Sequence, residues 1–247
     1  MTRSAILVFA KLPEPGQVKT RLLGALSPKQ AAEMHRACLK DTVAQVRRVP
    51  GCQKCLQVEA RPEQAHALAA RLGLGRAWRG DVQRGRNLGE RLQRAFACCF
   101  QSGCRKVVVV GTDTPWMGRE CILRALAWLD RTDVVLGPSD DGGYYLIGAR
   151  RLVPQMFRGI RWSTSQVLKA TLQALAKARA SYRLLPRDFD LDRPADLERA
   201  AQFLCRNAGR APALAQWMNQ LRAESVSRSN RRRRPARRNK KRRPGRA

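Results

Sequence analysis

Just past its first four residues the chain runs through six apolar positions without a break, Ala5-Ile6-Leu7-Val8-Phe9-Ala10. A continuous apolar run, unlike an alternating one, predicts a central strand covered on both faces, as in a parallel sheet between helices. After a Pro/Gly loop, Ser27-Pro28-Lys29-Gln30 supplies a Ser N-cap, a Pro at the first helical position and a Gln placed to close a capping box. A helix to about Val46 should follow, with Ala32, Leu39, Val43 and Val46 on one face. Lys54 to Glu59 reads as a strand and Pro62 to Leu72 as a helix. Asn87-Leu88-Gly89-Glu90 has the form of a second capping box, and Leu88, Leu92, Ala95, Phe96 and Cys99 recur at helical spacing behind it.

The rhythm continues with a strand at Lys106 to Val110 and a helix near Glu120 to Leu129. A strand at Val134 to Leu136, a turn at Ser139 to Gly143 and a strand at Tyr144 to Gly148 come next. Ser163 to Gln166 is a third capping-box candidate, opening a helix to about Arg179. The strand Tyr182 to Leu185 and helices starting near Pro194 and Pro212 complete the series. Strands alternating with helices predict an α/β fold of three layers around a mostly parallel sheet.

A chain of 247 residues suits one such domain, assigned to residues 1–227, with no internal repeat and no linker. Residues 228–247 hold 12 Lys or Arg, no acid and no apolar side chain larger than Ala or Pro, which predicts a disordered basic tail. Without the tail the body still carries a formal +18 of the chain's +30. That balance attracts nucleotides, anionic lipids and nucleic acid alike and identifies none of them. The tail lacks aromatics on which bases could stack, so it would make only nonspecific polyanion contact, and a solvated extension is the simpler reading.

The eight cysteines show no disulfide framework, and the lone Cys52/Cys55 pair has no partner C-x-x-C. Small buried thiols in a reducing compartment are expected. The first apolar run is too short to span a bilayer, so there should be no transmembrane segment and the protein should be cytoplasmic.

Ligands of open α/β sheets sit outside the carboxyl ends of the strands. Three segments fall there. In the first, Lys11 to Leu22, Gly16 lets backbone approach an anion while Lys11, Lys19 and Arg21 supply charge for phosphates, although the P-loop spacing is absent. In the second, Gly111-Thr112-Asp113-Thr114-Pro115, Asp113 follows a buried strand closely enough to hold a divalent cation against a phosphate, or else to cap the next helix. The third combines Ser139-Asp140-Asp141-Gly142-Gly143 with the cluster Asp188, Asp190 and Asp192. Those carboxylates would complete a metal site or act as a base on an acceptor hydroxyl; turn formation for Asp140 and Asp141 and capping for Asp192 are the alternatives. His35 and His66 lie on predicted helices, away from these loops, which disfavours a Ser-His-Asp hydrolase.

Six ordered segments carry a resemblance: AKLPEPGQVKTRL at 10–22, NLGERLQRAF at 87–96, GTDTP at 111–115, GPSDDGGYYLIG at 137–148, WSTSQVL at 162–168 and DFDLDRPADL at 188–197. Together they resemble a bacterial family of nucleotide-diphospho-sugar transferase fold labelled arsenosugar-biosynthesis glycosyltransferases, from about Ile6 to Phe203. The first segment also resembles the start of 2-phospholactate guanylyltransferases, and the placement of GTDTP is similar to that of the metal Asp in molybdenum-cofactor guanylyltransferases. The resemblance implies a GT-A-like fold and a transferase. Its donor would be a nucleotide-sugar or NTP and its acceptor a small molecule.

On the same resemblance Lys11, Gly16, Lys19 and Arg21 face the nucleotide phosphates, Asp113 binds Mg²⁺ or Mn²⁺, and Asp190 or Asp192 is the second metal carboxylate. Asp140, Gly142, Gly143, Trp162 and Ser163 line the acceptor side, where Asp141 touches the acceptor and shares the catalytic role with Asp113. The chain departs from the glycosyltransferase D-x-D motif, because residue 111 is Gly. Glycosyl transfer is the reading the family label favours, nucleotidyl transfer with release of pyrophosphate is the alternative, and a non-catalytic polyanion-binding protein is the reading from another class.

Overall fold

The computed structural model describes residues 4–207 and 209–233. Seven strands form one sheet: β1 (Ser4–Lys11), β2 (Cys52–Glu59), β3 (Trp78–Val82), β4 (Lys106–Val110), β5 (Val134–Pro138), β6 (Tyr144–Ala149) and β7 (Tyr182–Leu184). They lie in the order β3-β2-β1-β4-β6-β5-β7. Every neighbouring pair is parallel except the two made by β6, which runs against β4 and β5. The helices are α1 (Pro28–Arg47), α2 (Pro62–Arg71), α3 (Leu88–Gln101), α4 (Arg119–Trp128), α5 (Val167–Lys177), α6 (Pro194–Arg206) and α7 (Pro212–Arg233). This is the three-layer, mostly parallel arrangement that the periodicity predicts.

The unbroken apolar run of β1 is explained by two cores. Ile6, Val8 and Ala10 pack on one face with Leu39, Val43, Leu68 and Ile122, while Ala5, Leu7 and Phe9 pack on the other with Leu92, Phe96 and Leu175. Full burial of an aliphatic side chain contributes about 1.5–3 kcal/mol, so a strand lined on both faces anchors the sheet from its middle. A third core joins α1 to the C-terminal helices through Met34, Trp116, Phe189, Leu191, Leu204 and Trp217. Among the described residues no helix is long and apolar enough to cross a membrane.

The structure corrects several expectations. β3, Trp-Arg-Gly-Asp-Val, was absent from the prediction because it is a short edge strand with Arg79 and Asp81 exposed, so it carries no apolar signal. The Ser27 box closes in full, with Ser27 Oγ accepting from Gln30 N and Gln30 Oε1 accepting from Ser27 N. At α3 only half of the box forms: Asn87 Oδ1 accepts from Glu90 N, but Glu90 takes Arg86 N instead of Asn87 N. The box proposed at Ser163 does not form, because Ser163 sits in a left-handed turn (φ 62°) and α5 starts after Gln166. α7 continues to Arg233, so the disorder predicted from 228 does not hold for its first six residues. Arg is a good helix former, and a helix already nucleated propagates through it. The rest of that predicted tail lies outside the described residues. All eight cysteines are free thiols; Cys38 and Cys104 are buried, but Cys98 and Cys205 are exposed, so the expectation of uniformly buried thiols fails on the outer faces of α3 and α6.

Candidate active site

Three loops at the carboxyl edge of the sheet are sewn together by backbone. Asp140 N donates to Asp188 O at 3.0 Å and Asp188 N to Pro138 O at 3.0 Å, joining the turn after β5 to the 188–192 segment. Leu191 N donates to Asp113 O at 2.8 Å, joining that segment to the loop after β4. Side chains reinforce the seam: Thr114 Oγ1 donates to Asp190 Oδ1 at 2.6 Å and Trp116 Nε1 to Asp188 Oδ1 at 3.0 Å. Phe189 and Leu191 point into the third core, which leaves Asp190 and Asp192 on the open side.

Two adjoining cavities open over this seam. The larger, about 640 Å³, is lined by the ends of β1 and β2, by Gln83 and the start of α3, and by Gln17 to Arg21. The smaller, about 400 Å³, is lined by Asp141, Gly143, Tyr144, Ser163 to Ser165, Asp190 and Arg193. Arg21, Leu88, Asp113, Trp162, Ser163 and Asp192 border both. The structure therefore brings the predicted phosphate loop, the predicted metal carboxylates and most of the predicted acceptor side around one space.

The individual roles are less uniform than the motifs imply. Lys19, expected to face phosphates, adopts a left-handed backbone (φ 52°) that turns its side chain inward, where only 3% of it is exposed. Its ammonium sits 2.7 Å from Asp113 Oδ1 and donates to Leu191 O. Burial works against that charge, but Asp113, helped by Cys38 and Asp192, outweighs it and the Lys19 pKa is raised. In the same way burial opposes the Asp113 charge and Lys19 overcomes it, so Asp113 is held below its ordinary value. Both partners are ionised. Asp113 does not cap α4, whose N-cap is Gly118, and its Oδ2 has no partner among the described residues.

Asp190 behaves oppositely. Burial and the nearby charges of Asp113 and Asp141 push it up to about 7. Asp192 pairs with Arg21 at 2.6 Å and is not the cap of α6, a place taken by Arg193 with Asp196 accepting its N–H. Asp141 Oδ1 accepts both Ser139 Oγ and Gly143 N, which leaves Oδ2 free at the smaller cavity. Asp140 turns the other way, to Arg199 at 2.8 Å, whose guanidinium also covers the Phe189 ring. It lines neither cavity, so its predicted place on the acceptor side is corrected to an outer brace. Gly16, at φ 78°, shapes the loop but lines neither cavity either. Lys11 stays exposed at the rim, 3.9 Å from Glu59.

Gly142 holds the two acceptor-side segments together. Its carbonyl accepts from Leu168 N at 2.8 Å, its φ is +87°, and a Cβ there would collide with the Ser165 carbonyl. Gly142→Ala is expected to cost roughly 3 kcal/mol, from overpacking against backbone plus the left-handed penalty, as equilibrium denaturation would measure.

Sequence reasoning missed two contributors. His35, placed on a helix remote from the loops, is buried and lines the larger cavity, because the 11–22 loop folds back over the start of α1. Its Nε2 lies 3.2 Å from Lys11 O, an acceptor that places the ring proton there, and Nδ1 has no partner among the described residues. Burial lowers the His35 pKa, so the ring is neutral near pH 7. Gln83 follows the missed edge strand and lines the same cavity. No pattern within either residue's own segment signals these positions.

Similarity to known proteins agrees with this fold. Residues 42–164 match the model of a family described as "uncharacterized protein conserved in bacteria (DUF2064)". The crystal structure of a "putative nucleotide-diphospho-sugar transferase" from Desulfovibrio desulfuricans is 31% identical, covers 90% of this chain and 96% of its own, and superimposes with a TM-score of 0.84. Two others share the fold alone: 4-diphosphocytidyl-2C-methyl-D-erythritol synthase from Anaerococcus prevotii (10% identity, 81% of this chain and 96% of that one, TM-score 0.55) and a cytidylyltransferase from Leptospira borgpetersenii (11% identity, 92% and 96%, TM-score 0.56). No curated protein matches the chain.

Proposed function

The chain belongs to the bacterial family of the Desulfovibrio nucleotide-diphospho-sugar transferase-fold protein, and from that premise we propose that it is a metal-dependent glycosyltransferase acting on a nucleotide-sugar donor and a small acceptor. The observation that carries the reading is the meeting of two cavities at Asp113, with cationic residues in the larger and Asp190 and the free Oδ2 of Asp141 in the smaller.

The carboxylates fit a hard divalent cation. Asp113 offers an unengaged Oδ2, and Asp190 is a carboxyl whose ionisation is suppressed partly by its acidic neighbours, a repulsion that a cation relieves. No group of three or more His, Cys, Asp or Glu forms a complete cage among the described residues. Mg²⁺ or Mn²⁺ needs only one or two carboxylates from a protein, with phosphate oxygens and water completing its shell. Asp192 is the weaker candidate for second ligand because Arg21 engages it. A bound cation supplies Lewis-acid stabilisation of the diphosphate that departs.

The chain's own groups do the rest. Arg21, which borders both cavities, offsets diphosphate charge where they join. Lys19 keeps Asp113 ionised and fixed in place. Trp162 and Tyr144, edge to face with centroids 6.4 Å apart, wall the space beyond the diphosphate, where the sugar and acceptor meet. The acceptor hydroxyl donates to Asp141 Oδ2; its oxygen bonds to the sugar carbon as the carbon–phosphate-oxygen bond breaks, and its proton passes to Asp141.

The test is a thermal-shift panel of UDP-, GDP-, ADP- and CDP-sugars and of NTPs, with and without Mn²⁺, followed by product analysis. A donor at about 100 times its Kd should raise Tm by about 5–10 °C, only with metal, and turnover should release nucleoside diphosphate. Stabilisation by NTPs alone with release of pyrophosphate would mean nucleotidyl transfer. Salt-sensitive polyanion binding lost on deleting residues 228–247, with no nucleotide response, would mean a binding protein.

A further inference from the structure

At the open end of the sheet Lys11, Glu59 and Gln83 form a row across three neighbouring strands. Lys11 lies opposite Glu59 in the parallel β1–β2 pair. Val58 lies opposite Val82 in β2–β3, and Gln83 N extends the ladder by donating to Val58 O at 2.9 Å, which brings Gln83 level with Glu59. Residues level with one another on parallel strands share a face, and all three line the larger cavity.

The Gln83 amide has one possible orientation. Ala10 O and Gln57 O both lie 3.0 Å from its nitrogen, and two carbonyls accept only from the NH₂ end. Both amide hydrogens are thereby spent on the ends of β1 and β2. Oε1 receives no hydrogen bond from a described residue and is not among the buried atoms that lack one. A rigid acceptor is left at the cavity wall. Glu59 beside it is an acceptor braced by Arg91 at 2.8 Å, with Lys11 3.9 Å away on its other side.

Resting on the nucleotide-donor reading above, we propose that this row reads the base of the donor and selects guanine. Across the strands the protein presents a donor, an acceptor and an acceptor: the Lys11 ammonium, the Glu59 carboxylate and Gln83 Oε1. The Watson–Crick edge of guanine presents the complement, O6 as acceptor and then N1–H and N2–H₂ as donors. Uracil sets an acceptor against Gln83 or Glu59 whichever way it lies. Cytosine and adenine carry one amino donor beside ring acceptors, so a protein acceptor again faces an acceptor. A site whose polar groups are left unpaired by the wrong ligand rejects it strongly.

The experiment is calorimetric titration of the full chain, in Mn²⁺, with GDP, inosine diphosphate, ADP, CDP, UDP and base-free ribose 5-diphosphate. GDP should bind at least about tenfold tighter than UDP, CDP or ADP, and inosine diphosphate, which lacks only the 2-amino group, should lose about tenfold against GDP. Gln83→Met should bring GDP to the inosine level, with ribose 5-diphosphate binding as the check that the site is intact; the ligand-side comparison needs no variant. A wild-type preference for another base, or an unchanged GDP preference in Gln83→Met, overturns the base assignment while the nucleotide site stands. Binding of neither the nucleotides nor ribose 5-diphosphate overturns the donor reading beneath it.

Discussion

Asp113→Ala should destabilise the protein by about 3 kcal/mol and slow turnover on the order of 10³-fold, because one carboxylate serves both the fold and the chemistry. The structural part comes from Lys19, whose side chain is 3% exposed and whose ammonium has Asp113 and Leu191 O as its partners among the described residues. Removing Asp113 strands a buried charge. Lys19→Met on the same background should recover most of the lost stability, since an apolar side chain of similar length tolerates that site, yet none of the activity. A double-mutant cycle by urea denaturation, with turnover measured alongside, separates the two effects. Additive losses of stability would show that the pair is not coupled. Loss of ligand binding in Asp113→Ala alone would therefore be an ambiguous result, because a partly unfolded protein also fails to bind.

Asp190→Asn should do the reverse: more stability at alkaline pH and less activity. The folded protein holds the Asp190 proton to about pH 7, while the unfolded chain releases it near the ordinary value of 3.8. Between those values the native state binds more protons, so stability falls as pH rises from about 4 to about 7 and stays lower above it. Asn cannot ionise, and it still accepts from Thr114 through its carbonyl. At pH 8 without metal, Asp190→Asn should exceed wild type by about 1–3 kcal/mol, a gap that vanishes near pH 4. Turnover should drop on the order of 10²-fold. A wild-type stability that does not change between pH 4 and 8 relative to the variant would refute the raised pKa.

The layered sheet was legible because its interior strands are apolar without a break and its helices carry strong start signals such as Ser27-Pro28. β3 was not, since an edge strand need satisfy only one neighbour and Trp-Arg-Gly-Asp-Val shows no pattern beyond that. The site was legible at the level of loops, because Gly, Pro and Asp after apolar strands have few other uses. Which carboxylate does what was not. Asp140 and Asp141 are adjacent and alike in sequence, yet one meets Arg199 and the other the smaller cavity. One partner of Lys19 is a backbone oxygen 172 residues away, and no local pattern reports a contact of that separation. His35 and Gln83 became visible only when folding brought their segments to the rim.

That separation also sets a clock. A chain made at about 5–20 residues per second leaves Lys19 waiting on the order of ten to thirty seconds for Leu191 to be synthesised. Until then its ammonium lacks the Leu191 carbonyl, and Asp113, once made, lacks the amide that pins its own backbone. The nascent protein can build β1 to β4 early, but the seam that ties the 188–192 segment to Lys19 and Asp113 closes only after residue 191 has been made.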